Sequence, residues 1–282
     1  MKKSFLLLTA LLAALVMFVS CGEDPFFRVV TYLDNDGTTV LKTEGVLKGN
    51  KLSEYWPEKE GYDFIQWLTE DGEVYDPDTS VEEDIKLKAH WEKELAVGDT
   101  GPAGGKIFYV ADKIQTSIYY DKDGKEVKYI WKYLEAAPSA TDSPYYFGYY
   151  YKDGKLASCG ATAYAIGNGR MTTSLLVNAM GDKARTNTKT TDTAVYAAKY
   201  ADDYTYGGYD DWFLPSTHEI RQLYRSKTVT FNDGIYYMSS TEYSTNSESI
   251  ICVNLAGSEK YISRGNAYVY VWPIRAFYYR TK

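Results

Sequence analysis

Between Phe26 and Trp91, short runs of β-branched and aromatic residues are separated by clusters that turn the chain. This punctuation restricts the fold more than any other feature, because such runs suit half-buried strands and leave little room for a long helix. "FFRVVTYL" leads into the turn "DNDG" (Asp34–Gly37), and "TTVLKTEGVL" runs back. "KLSEYW" reads as a single helical turn before Pro57. "GYDFIQWL" alternates Tyr62, Phe64 and Gln66 against Asp63, Ile65 and Trp67. "IKLKAHW" closes the stretch with Ile85, Leu87 and Ala89 on one face and lysines on the other. The expectation for 26–92 is a small β unit with no catalytic constellation. "DNDG" and "DKDG" (Asp121–Gly124) lack the remaining ligands of an EF-hand loop and read as turns.

The N-terminus reads as an export signal. Lys2 and Lys3 precede an apolar run from Phe5 to Val19, which fits a signal-peptide core and falls short of the roughly 20 residues that span a bilayer. The run ends in "FVSC", with small Ser20 before Cys21. This resembles a bacterial lipobox, with Phe18 where leucine is usual. The resemblance implies a signal peptide over 1–20, a lipidated Cys21, and attachment to the bacterial cell envelope, at the outer membrane or cell surface. Cys159 and Cys252 are too few and too far apart for a disulfide framework, and whether they pair stays open. With His90 and His218 the only histidines and no CxxC spacing, no metal and no cofactor is expected. The formal net charge of −7 repels phosphate backbones, so no nucleic acid is expected as a partner.

The quoted segments of 26–92, with Pro57 and the Gly-Tyr-x-Phe-x-x-Trp spacing ahead of a final Trp91, resemble the Listeria–Bacteroides (internalin B-type) repeat. Gln66 stands where that motif has glycine. The resemblance implies a β-grasp-like fold used as a spacer or protein-contact module.

Beyond the charged joint "EKELAVGD", a Gly/Pro turn leads into a strand at Lys106–Val110, and "KYIWKYLEAAP" reads as a strand with Trp131 and Leu134 inward. "TTSLLVNAMGD" reads as a helix with Leu175, Leu176 and Ala179 on its buried face and Gly181 at the C-cap. "TDTAVYAAKYADDY" reads as a second helix, N-capped by Asp192, with Val195, Ala198 and Ala201 along one side. In "YGGYDDWFLPSTHEI", Pro215 ends a short strand and Ser216 with Glu219 forms an S-x-x-E capping box, followed by the stripe Ile220, Leu223 and Tyr224. A capping serine is not a nucleophile, and His218 is expected to face solvent. An aspartate at 216 is expected to cap equally well. Asp210 and Asp211 read as turn residues ahead of a cation site.

"VGDTGPAGGKIFYV", "YLEAAPS", "DDWFLPSTHEIRQLY", "YMSSTEYS" and "PIRAF", in this order, resemble the C-terminal domain of the Legionella collagen-like adhesin, a C-type-lectin-like family. Ala201, Met238 and Trp272 depart from its pattern. The resemblance implies a lectin-like α+β domain over 97–280 whose late strands and loops display a ligand surface. The fold class of the whole chain is therefore α+β.

Tyrosine is the compositional outlier, with 29 in the chain. Its ring and hydroxyl suit both recognition surfaces and sheet cores, and both uses are expected of different tyrosines. The candidate ligand surface comprises Tyr236, Tyr237, Tyr243, Asn254, Tyr261, Arg264, Asn266, Tyr268 and Tyr270. The function expected first is a surface- or envelope-anchored binding lipoprotein, adhesive or recognitive, with a glycan or a host or envelope protein as ligand. A structural envelope protein without soluble ligand is the alternative. An enzyme of the formylglycine-generating kind would need a reactive cysteine pair, for which Cys252 has no close sequence partner. No enzyme is expected.

Overall fold

The computed structural model describes residues 26–153, 155–181, 195–232, 234–243, 249–254, 258–264 and 268–279. Cys21, Asp192 and Asn266 lie outside the described residues. The chain divides between Lys93 and Glu94 into two compact units, mostly β-sheet with three short helices among the described residues. That composition is compatible with an α+β class.

The first unit is one sheet of β1 (Phe27–Leu33), β2 (Val40–Leu47), β3 (Tyr62–Leu68) and β4 (Ile85–Lys93). The order is β2-β1-β4-β3. The central pair β1/β4 is parallel and both outer pairs are antiparallel. Val30, Tyr32 and Leu87 point to one side and pack with Val81, against which Leu52, Tyr55 and Trp67 close. The helical turn expected at "KLSEYW" does not form, and Lys51–Glu58 is irregular. Pro57 disfavours helical backbone at the residue before it, and Tyr55 is used as a lid, its ring stacked 5.8 Å from Trp67.

β3 also departs from plain alternation. Phe64 pairs with Trp91 while Gln66 pairs with His90, so Ile65 is an extra residue in a β-bulge. The bulge brings Phe64 and Trp67, three apart, to a ring separation of 4.9 Å. The "DNDG" turn is stapled from within. The Asp36 carboxylate accepts from the Thr38 and Thr39 amides at 2.7 and 2.8 Å. Asp34 accepts from Trp91 Nε1 at 2.6 Å and from Lys59 at 3.1 Å. Burial pushes the Asp34 carboxyl up, but hydrogen bonds from the Asn35 amide, Lys59 and Trp91 outweigh it and hold it below the usual range.

In the second unit β5 (Lys106–Tyr120) and β6 (Glu126–Ala136) form a hairpin much longer than the strand expected at Lys106–Val110. Asp121 closes it, its carboxylate accepting from the Asp123 and Lys125 amides. Then come β7 (Tyr145–Tyr146), β8 (Tyr151–Lys152), β9 (Lys155–Leu156), α1 (Gly169–Met180) and α2 (Ala197–Asp202). β10 (Trp212–Phe213) and α3 (Thr217–Ser226) precede β11 (Tyr237–Glu242), β12 (Ser249–Val253), β13 (Glu259–Ser263), β14 (Tyr268–Val269) and β15 (Ile274–Phe277). The main sheet has the order β10-β15-β6-β5, and β11-β12-β13 is a sheet of its own. β14 pairs with β7, and β8 with β9.

α1 differs in face from its sequence reading, whereas α2 buries Ala198 and Ala201 as expected and departs only at Val195. The buried side of α1 carries Thr172, Thr173, Leu176 and Met180, while Leu175 and Ala179 are only partly covered. The threonines go inward because they find partners there. Thr173 Oγ1 donates to Leu214 O at 3.0 Å and accepts from its amide, and Thr172 Oγ1 meets Ser240 Oγ at 2.5 Å. In α2, Val195 precedes the helix and is exposed. Tyr196 is extended, and its buried ring donates through its hydroxyl to Gly181 O, which fixes the approach.

A candidate recognition surface on a buried polar frame

Four of the sequence segments quoted for the second unit meet at one buried ion cluster. Glu135 of "YLEAAP" is fully buried and accepts from the Gly105 amide at 2.8 Å, within "TGPAGG". Arg275 of "PIRAF" donates to Glu135 at 3.2 Å and, through Nε, to Asp211 of "DDWFLP" at 2.7 Å. Its guanidinium also lies 3.8 Å from the centre of the Tyr209 ring. A Cβ on Gly101 would stand 2.4 Å from the Glu135 carboxyl carbon, and one on Gly105 would stand 2.0 Å from Ala136 O. The glycines are there so that backbone can wrap a buried carboxylate, and Asp211 has a protein partner.

The capping box forms as read. Ser216 Oγ accepts from the Glu219 amide, and the Glu219 carboxylate accepts from the Ser216 amide at 2.7 Å. Glu219 does more than the motif requires, because Oε1 also accepts from the Gly167 amide at 2.8 Å. Burial raises its pKa to about 7, against the lowering effect of the Ser216, Gly167 and Gly169 amides. Ser216 Oγ donates to Ala165 O at 2.9 Å. His218 is partly exposed, with its ring edge-on to Tyr164 at 5.0 Å.

The residues proposed for a ligand surface divide into inner and outer sets. Tyr237 is 1% exposed, its ring between Phe231 and Trp272, and its hydroxyl accepts from the Asn232 amide. Arg264 is also fully buried, ion-paired to Glu242 with its guanidinium over Phe147. Both are corrections. β11 is buried on both faces, with Tyr237 in one apolar cluster and Met238 in another, and a buried carboxylate, missed in the sequence, draws Arg264 inward. Glu242 also accepts from Ser158 Oγ at 2.5 Å and from the Cys159 and Ala161 amides.

The outer set gathers at β11–β13. Tyr243 and Tyr261 lie 4.6 Å apart, with Tyr261 53% exposed. On the same side of the sheet Arg221 of α3 bridges to Glu259 at 2.8 Å. Tyr236 is partly exposed under the Lys260 ammonium, 4.6 Å from its ring centre. Asn254 is partly exposed and accepts from the Ser258 amide, while Tyr270 is partly exposed beside Tyr237. Tyr268 is placed on β14, away from this sheet in the pairing.

Neither of the two described cysteines is bridged. Burial pushes the Cys159 thiol to about 11, although Arg264 beside it favours the thiolate. Burial takes the Cys252 thiol to about 12. Three extra residues in β5, between Val110 and Gln115, border an open pocket of about 340 Å³ lined by Tyr109, Asp112, Lys113, Gln115 and Trp131. Trp131 contributes little ring surface there, being 3% exposed with Nε1 donating to Ser117.

The first unit, with its four strands, parallel centre and aromatic lid, meets a known pattern. Residues 29–90 match the Listeria–Bacteroides repeat domain family. The repeat accounts for β1 to β4 up to His90 and leaves the second unit outside its span. No curated protein matches the chain, and no solved structure matches it.

Proposed function

We propose that this chain is an exported binding protein, anchored to the bacterial cell envelope through a lipidated Cys21. In this reading the repeat is the base and the second unit the recognition head. The β2-β1-β4-β3 order with its parallel centre supports a β-grasp assignment for the repeat. Support for a lectin-like head comes from the late strands β11–β13, which form a sheet apart from the main one. The three departures from the adhesin pattern, Ala201, Met238 and Trp272, are all buried, so they bear on packing and leave the surface untouched.

The observation that carries the binding reading is the Tyr243–Tyr261 pair beside the Arg221–Glu259 bridge. Rigid aromatic faces next to fixed polar groups suit a sugar ring or a protein surface, since they offer apolar area with little side-chain entropy to lose. Against an enzyme, both described thiols are protonated at neutral pH, and the Ser216 hydroxyl is committed to Ala165. The test is a glycan and matrix-protein array probed with residues 21–282. A ligand retained by the parent and lost with Tyr261→Ala, at unchanged thermal stability, is the expected outcome. Binding indifferent to Tyr261→Ala and Tyr243→Ala would remove the surface from the proposal.

A further inference from the structure

The outward face of the first hairpin carries apolar side chains that the fold does not cover. Phe27 and Leu47 are cross-strand partners, 48% and 46% exposed, and Val29 follows on the same face at 46%. Phe26, 69% exposed, leads into them. The residue opposite Val29 is Gly45, so nothing larger than hydrogen shields it from that strand. Side chains so arranged on an outer pair of strands form one continuous patch rather than scattered singles.

Two facts decide what fits it. Five peptide steps separate Cys21 from Phe26, at most roughly 18 Å of extended chain. A lipid at Cys21 therefore holds the start of β1 within that distance of the bilayer surface. The charge around the patch is the second fact. Residues 26–93 carry sixteen Asp and Glu against eight Lys and Arg, which disfavours an anionic partner. An uncharged apolar patch in an acidic unit, tethered next to a membrane, fits a zwitterionic lipid interface.

We infer that Phe27, Val29 and Leu47 dock the repeat onto the membrane to which the chain is anchored. The inference rests on the lipid-anchor part of the proposed function. The tether makes docking effectively intramolecular, so a patch too small to hold a free protein suffices. The repeat is then a foot seated on the lipid.

The test is hydrogen exchange of the acylated chain in phosphatidylcholine vesicles, read by mass spectrometry over β1 and β2. Docking slows exchange along β2, the outer strand of its sheet, several-fold in the parent. The acylated Phe27→Ser/Leu47→Ser variant loses this protection, and β3 is unaffected in both proteins. Intact mass reports acylation separately. A chain without acyl groups ends the anchor reading and the inference with it. An acylated chain whose β2 exchanges equally in parent and variant overturns docking and leaves the anchor standing. Protection appearing equally without vesicles, and growing with protein concentration, assigns the patch to a second copy and overturns the inference as well.

Discussion

At position 216 the hydroxyl has one proton to give and gives it to the Ala165 carbonyl, while its lone pair takes the Glu219 amide. Ser216→Ala therefore loses both a cap and a buried partner, and is expected to cost about 0.5–2 kcal/mol in chemical denaturation. The expectation that aspartate would cap equally well reverses in this setting. An aspartate cannot donate to Ala165 O and would set a second carboxylate beside that of Glu219. Ser216→Asp should therefore unfold more readily than Ser216→Ala. Glu219 itself makes a pH prediction. Its folded pKa of about 7 lies above the ordinary 4.5, so between those values the native state holds a proton that the unfolded chain has released. Stability from this group is full below about 4.5 and lost as pH rises through about 7. Stability curves of parent and Glu219→Gln should diverge in slope across that window, the parent falling more steeply with pH. Parallel curves would mean that Glu219 titrates normally.

Strands and helices were legible where one physical rule governs them. The capping box, the Ile220 and Leu223 stripe and the alternation of Ile85, Leu87 and Ala89 follow from spacing alone, and all are present. What escaped were places where a distant partner overrides the local pattern. The threonine face of α1 is inward because Leu214 and Ser240 wait for it. Glu135 sits between Leu134 and Ala136, the one visible sign that it was buried with Arg275. Glu242 ends the polar run of Ser239, Ser240 and Thr241 and gave no such sign of its pair with Arg264. The same oversight placed Arg264 on the candidate surface. The bulge in β3 was equally hidden, since Phe64 and Trp67 look out of phase until Ile65 is removed from the count. Deleting Ile65 restores regular pairing and keeps Phe64 and Trp67 on one face, two apart, but removes a buried apolar side chain. The deletion should lower the stability of the repeat by about 2–5 kcal/mol while its tryptophan near-UV signal persists below the transition. Gly105→Ala tests the wrapped carboxylate, because its Cβ meets backbone at Ala136 O. A loss of about 1–3 kcal/mol or more is expected from such overpacking.

The two units differ in how their interiors are built, with one apolar cluster in the repeat and two in the second unit among the described residues. The repeat closes around Tyr32, Leu87 and the Trp67 lid, whereas the second unit is organised around buried charge as well as apolar packing. The contact pattern breaks between Lys93 and Glu94, and domains so divided unfold as separate cooperative bodies when little crosses the joint. Calorimetry of the intact chain is expected to resolve two transitions. Each has its own probe. Arg275→Met leaves Glu135 buried without its cation, a change that costs roughly 3–5 kcal/mol, and it should lower one transition and leave the other in place. Deletion of Ile65 should do the reverse. Adding Glu135→Gln to Arg275→Met removes the stranded charge and should recover part of the loss in the same transition, which separates charge burial from lost packing around Tyr209. If either change moved a single transition as one, the two units would be one cooperative body.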